Sequence, residues 1–209
     1  DNTKAIITCL GCETDFVAKN AEFKALANSI ATAALENLPA DLAGLMACSF
    51  NGQTVEEAIT QQTGKSGEKH AVPFYGKIEA PYIGSYMHII NGKLAAIVGF
   101  NKENVDADVS KDIAMQVADM NPKAVTSDQI QQELKDSEME IARDKAREAG
   151  RPENILDRIA EGALQKFYKD TALLQQDYVK DSKLSIDEFI KQNDKELTVT
   201  EFKRVSLNA

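Results

Sequence analysis

Apolar residues recur along this chain with two different periods, and the switches between them outline the elements. Ala5-Ile6-Ile7-Thr8-Cys9-Leu10 is a short apolar, β-branched run that predicts a strand over residues 4–11. Phe23, Leu26, Ala27, Ile30, Ala31 and Ala34 then follow at steps of three and four, the stripe of an amphipathic helix over roughly 20–36. Pro39 opens a second short helix through Met46. Asn51-Gly52 marks a turn, and Thr54-Val55-Glu56-Glu57 has the spacing of a capping box. That box starts a third helix to about Gln62, with Gly64 and Gly67 as its end.

From Lys69 to Phe100 the period shortens to β-type runs: Ala71 to Glu79, Tyr82 to Ile90 and Lys93 to Phe100. Asn91-Gly92 between the last two is a hairpin signal, because both central positions of such a turn want positive φ. The expectation is a meander of three strands, open to a further strand from Leu197 to Leu207. Leu26-Ala27 and Ile30-Ala31 match Ile113-Ala114 and Val117-Ala118 at a constant offset of 87 positions, each helix following a strand. Residues 128–169 differ in kind. Ile130, Leu134, Ile141 and Ala142 mark one helix, and Ile155, Ile159, Ala163 and Phe167 another. Gly150 can close the first and Pro152 suits the first turn of the second. So short a join makes the two antiparallel. Leu184-Ser185-Ile186-Asp187-Glu188 has capping-box spacing again, for a last short helix to about Gln192.

Thr14-Asp15-Phe16-Val17-Ala18 falls where the strand period ends and the helix period has not begun. Side chains at such a strand-to-helix corner tend to face outward on a rigid support. An aromatic ring there either folds back into the core or is held out for a partner, and pattern alone leaves both open.

The wording around that corner is more specific than its pattern. Cys12-Glu13-Thr14-Asp15-Phe16-Val17-Ala18-Lys19, followed by Phe23, resembles the signature of the translation elongation factor Ts family. Three later segments agree in order: Ile83-Gly84-Ser85-Tyr86-Met87-His88, then Asp112-Ile113-Ala114-Met115-Gln116-Val117-Ala118 with Asn121-Pro122, then Ala149-Gly150-Arg151-Pro152-Glu153-Asn154-Ile155. The resemblance implies an α+β fold of two related strand-helix subdomains with small antiparallel sheets and a protruding antiparallel, coiled-coil helical hairpin. The expected division is 1–70, then 71–127 with 170–209, with 128–169 as the inserted hairpin. The chain begins at Asp1 without Met, and the expectation is a fragment or processed product. On that expectation it lacks the family's small helical N-terminal domain and the strand expected to pair with residues 4–10.

The same resemblance implies a cytoplasmic guanine-nucleotide exchange factor that promotes GDP release from elongation factor Tu during translation elongation. It would have no bond chemistry of its own, no cofactor and no direct nucleotide binding. Phe16 would be a wedge entering the partner's nucleotide domain, with Asp15 holding the corner and Thr14 and Val17 flanking it. His88 matches a family His that lies against the partner near the corner. Thr63 opens a stretch, Thr63-Gly64-Lys65-Ser66-Gly67, that departs from the family's Ile-Gly-Glu-Asn-Ile partner contact. Tyr178 and Val179 match an exposed apolar pair of the family. For these two, and for Met115 and Met120, partner contact competes with ordinary core packing.

Composition narrows the rival readings. A formal charge of -9 argues against non-specific binding to nucleic acid, which needs clustered Lys and Arg, and favours a protein partner. With 43% hydrophobic residues the chain has ample material for a core. No apolar run approaches the roughly 18 residues of a membrane span, and no signal-peptide pattern is visible. Three cysteines, an odd number, read as reduced cytosolic thiols.

Cys9-Leu10-Gly11-Cys12 supplies only half a zinc site, with Cys48, His70 and His88 as remaining candidates. As a redox pair it lacks the helix N-terminus that would lower a thiol pKa, and Glu13 and Asp15 beside it act the other way. Gly64-Lys65-Ser66 resembles the end of a phosphate loop, but Ile59 stands where that loop's first Gly belongs. Two other classes stay open beside exchange: a non-exchanging scaffold or dimerisation module built on the helical hairpin, and a C-x-x-C redox protein.

Overall fold

The computed structural model describes residues 2–88 and 92–207. In chain order the strands and α-helices are β1 (Lys4–Gly11), α1 (Asp15–Lys19), α2 (Ala21–Asn37), α3 (Leu42–Ala47), β2 (Ser49–Phe50), β3 (Gln53–Thr54) and α4 (Val55–Ser66). There follow β4 (Ala71–Glu79), β5 (Tyr82–Met87), β6 (Leu94–Phe100), α5 (Ala107–Met120), α6 (Gln132–Glu148) and α7 (Leu156–Thr171). The last are β7 (Asp177–Tyr178), β8 (Asp181–Ser185), α8 (Ile186–Asn193) and β9 (Val199–Ser206). Helices and small antiparallel sheets make the fold α+β. Two compact units divide it: Asp1–Ala118 with Glu201–Ala209, and Asp119–Thr200. Among the described residues, no helix is long and apolar enough to cross a membrane.

In the first unit β1 pairs antiparallel with β4, from Lys4 opposite Glu79 to Gly11 opposite Ala71. This corrects the expected meander. Residues 4–11 pair with β4 along one edge, so β4 belongs with β1 instead of joining β5 and β6 in one meander. The β5-β6-β9 sheet is separate, with the returning C-terminal strand beside β6. Side-chain alternation explains why β1 reads as a continuous apolar run. Leu10, with Ile6, faces Phe23, Ile30, Leu45, Val55 and Ile59 of the helices, whereas Ile7 faces Ile78, Ile83 and Ile97. Each face packs on its own apolar cluster, so the strand carries no fully polar side to betray its period.

Local signals set most boundaries. Asn51 and Gly52 take φ of 50° and 79° in a tight hairpin between β2 and β3. The Thr54–Glu57 capping box forms, and α4 runs past Gly64 to end on left-handed Gly67 at φ 74°. Gly64 therefore does not stop the helix as expected. Pro39 lies ahead of α3, whose N-cap is Asp41. The strand expected to reach Ile90 is Tyr82–Met87; Ile89, Ile90 and Asn91 of the expected hairpin lie outside the described residues. Gly84 on β5 is where the helix packs closest, since a Cβ there would meet the Ser110 carbonyl oxygen of α5 at 2.6 Å.

In the second unit α6 and α7 pack side by side. Arg147 pairs with Glu153 and Arg143 with Asp157, so residues equally far from the turn face each other and the helices run antiparallel. Gly150, at φ 72°, closes α6: its N–H donates to Arg147 and that of Arg151 to Ala146. On α6, Ala146 is buried and Ala142 half-buried, whereas Leu134 and Ile141, expected with Ala142 to mark the apolar stripe, are exposed. Ile130 precedes the helix and joins Ala124 and Ala172 in a small core. The expected Ser185–Glu188 capping box starts α8, which buries Ile186 and Ile190.

Candidate functional site

The corner after β1 is a helix of one turn. A register shift between Cys9 and Gly11 marks the last pairing of β1 with β4, just before the corner. Thr14 follows in extended geometry, φ -124° and ψ 151°, and its hydroxyl accepts the Val17 N–H at 3.4 Å. Asn20 ends the turn and caps α2 in its place, accepting the Glu22 N–H at 2.8 Å. The expected irregular corner is therefore α1 itself. Successive helical positions point about 100° apart, which separates Phe16 from its neighbour. Val17 and Ala18 turn inward onto the cluster of Leu10 and Phe23. Phe16 turns outward and is 88% exposed. Phe23, one further turn pair along, is 6% exposed in the core.

Two side chains from distant segments hold this turn. The Glu68 carboxylate accepts the backbone N–H groups of Glu13 at 3.1 Å and Thr14 at 3.0 Å, and the Thr14 hydroxyl as well. The Thr14 hydroxyl, more than any other cause, keeps the Glu68 carboxyl below its ordinary pKa. Lys93 donates to Asp15 Oδ1 at 3.1 Å, and that hydrogen bond with the Lys93 charge lowers the Asp15 pKa. Neither residue stood among the sequence candidates. A carboxylate after a helix-closing glycine and a lysine beside a hairpin carry no local pattern that says what they hold.

The other expected positions separate. His88 is half-buried just beyond β5; its N–H donates to Leu94 at 2.8 Å, so it belongs to the hairpin end that carries Lys93. Thr63 is occupied within the fold, its hydroxyl accepting the His70 N–H at 3.3 Å. Of the two readings left for Tyr178, partner contact and core packing, the ring takes core packing. It is buried and stacks on Phe189 with centroids 4.2 Å apart, while Val179 in the turn after it is exposed. Both lie in the second unit. Met115 is half-buried and Met120 exposed.

The rival chemistries find little support in the geometry. Burial pushes the Cys9 thiol up, and burial followed by the Glu68 charge does the same to Cys12, which leaves thiolate scarce. Cys12 Sγ donates to the Thr14 carbonyl at 3.3 Å, a local tie at the foot of the corner. Gly64-Lys65-Ser66 is the last turn of α4, where backbone N–H groups serve the helix and form no phosphate cradle.

A family model described as Elongation factor TS matches residues 13–209. An elongation factor Ts from Porphyromonas gingivalis is 49% identical over 206 residues, covering 98% of this chain and 74% of that protein. The one from Christiangramia forsetii is 44% identical, over 99% of this chain and 75% of its own length. That from Azoarcus sp. is 43% identical, over 91% of this chain and 64% of its own length.

Proposed function

Because this chain belongs to the elongation factor Ts family, we propose that it promotes GDP release from elongation factor Tu by inserting the Asp15-Phe16 corner into the partner's nucleotide domain. At the coarser level it is a translation elongation factor, acting in protein biosynthesis. The observation that carries the finer reading is the 88% exposure of Phe16 on a turn held by Thr14, Glu68 and Lys93. A ring left in water contributes nothing to the chain's own core. Burying a Phe side chain is worth about 1.5–3 kcal/mol wherever it is finally buried.

Exchange of this kind makes and breaks no covalent bond. The factor lowers nucleotide affinity only as far as it binds the distorted or nucleotide-free partner better than the loaded one. A difference of about 2 kcal/mol in that preference is roughly a thirtyfold change in affinity. Phe16 supplies the wedge, Asp15 and Thr14 fix the turn, and Val17 anchors it from below. His88 is a second-rank contact, and Thr63 and Val179 are weaker ones; the ring of Tyr178 drops out of the contact set because it is buried. The partner is elongation factor Tu, with no nucleic acid, membrane or cofactor in the reading, and the cytoplasm is the compartment it implies.

The division into 1–70, 71–127 with 170–209, and 128–169 belongs to the same proposal. It groups residues by the strand-then-helix repeat of β1–α2 and β6–α5, with α6 and α7 as a coiled-coil hairpin that protrudes between halves of the second copy. The compact units instead group residues by proximity.

The test is release of labelled GDP from elongation factor Tu with Phe16→Ala. The expected result is a folded chain whose stimulated release falls at least about tenfold, as a truncated interface anchor would give. Unfolding of the variant, or release at the parental rate, would defeat the wedge.

A further inference from the structure

Phe16 is aimed entirely by its backbone, since so exposed a ring takes almost no direction from packing. That backbone is a five-residue helix, Asp15–Lys19, far too short to hold itself in water. Its own cap is long, at 3.4 Å from the Val17 N–H to Thr14 Oγ1. What fixes the two residues leading into it is Glu68, which lies 54 positions from Thr14 in sequence and takes three donors from Glu13 and Thr14, while Lys93 holds Asp15 at the first helical position. Glu68 is itself rigidly seated. Its N–H donates to Ser66 Oγ at 3.2 Å, and its carbonyl accepts from His70 Nδ1 at 2.7 Å. The His70 ring is buried beside Phe23, with centroids 5.5 Å apart, which roots the seat in the core.

We infer that Glu68 is a positioning residue for Phe16, a carboxylate staple that holds the wedge ready before the partner arrives. The inference rests on the reading of Phe16 as the element acting on elongation factor Tu. Removing the staple leaves Phe16 in place but makes its turn order itself on binding, and ordering costs of this size weaken association. Glu68 acts only through the corner, so its effect vanishes when the corner carries no ring.

The experiment titrates release of labelled GDP from elongation factor Tu against four variants: Glu68→Ala, Glu68→Gln, Phe16→Ala and the Phe16→Ala, Glu68→Ala double. Glu68→Ala is expected to raise the half-maximal concentration about three- to tenfold, the size of an added ordering cost. Its melting temperature stays near the parent's, and the Glu13 and Thr14 amide NMR signals move. Glu68→Gln keeps an oxygen acceptor and recovers most of the loss. In the Phe16→Ala background the Glu68 change has no further effect, a non-additivity that a general loss of structure would not produce. Equal losses with and without Phe16, or no loss in Glu68→Ala while Phe16→Ala is impaired, would overturn the inference. Parental activity in Phe16→Ala would instead overturn the reading of the corner.

Discussion

Phe16-Val17 and Tyr178-Val179 are both aromatic–valine pairs, and the protein points them in opposite directions. At the corner the valine is turned in and the ring is 88% exposed; at the β7–β8 turn the ring is 6% exposed and the valine 41%. Composition cannot distinguish them, so the backbone does. Val17 follows Phe16 by about a third of a helical turn and meets the core beneath α1. Tyr178 ends a two-residue strand paired with β8 and stacks on Phe189 of α8, while Val179 enters the turn. Hydrophobic character therefore marks a candidate contact only after the local period is known. The exposed ring is the one with a role to explain, and the buried ring is explained by its packing.

The largest effect should come from the buried side of this contrast. Tyr178→Ala removes a stacked core ring and should destabilise by about 3 kcal/mol or more, by the range for large aromatic truncations. Tyr178→Phe should retain most of that packing; thermal melts of both variants check it, and a stable Tyr178→Ala chain would break the comparison. Phe16→Ala should reverse the pattern, with stability inside about 0.5 kcal/mol of the parent and the loss confined to nucleotide release. Between these falls Val17→Ala, expected to cost about 1 kcal/mol of stability for partial loss of a half-buried aliphatic side chain and to weaken exchange together with it. Loss of either property alone would show that Val17 does not link fold and corner.

Acid should have the smallest effect near neutrality. The Glu68 and Asp15 carboxyls are held below their ordinary values of 4.5 and 3.8, chiefly by the Thr14 hydroxyl and by Lys93. The unfolded chain then binds more protons in this range, so the stabilisation is complete above the ordinary values. It is lost as pH falls past them through the lower folded ones. Amide signals of Glu13 and Thr14 should stay fixed from neutral pH down to the top of that window and shift within it. Shifts already complete near pH 7 would contradict the assignment of the Glu68 tie.

Much of this was legible in the order of residues because it is local. The capping boxes at Thr54 and Ser185, the Asn51-Gly52 turn and the Gly150 helix end each lie within a few residues of the structure they produce. What was not legible is long-range pairing. β1 reads the same whether its partner is β4 or a strand elsewhere, since register and partner are chosen by faces that meet only on folding. Glu68 and Lys93 were invisible for the same reason: they act across large sequence separations on Thr14 and Asp15. Of the stripe expected on α6, Ala142 is half-buried but Leu134 and Ile141 are exposed, and buried Ala146 was missed because so small a side chain carries little periodic signal.

The central claim, that Phe16 waits in water and is buried by the partner, is open to one direct measurement. The chain contains no Trp, so Phe16→Trp labelled with 5-fluorotryptophan places a single fluorine at the corner. The account predicts one 19F resonance with a full solvent isotope shift in the free protein. On addition of nucleotide-free elongation factor Tu, that resonance should move and lose the isotope shift. A resonance already shielded in the free chain, or one still fully solvent-exposed in the saturated complex, would contradict it.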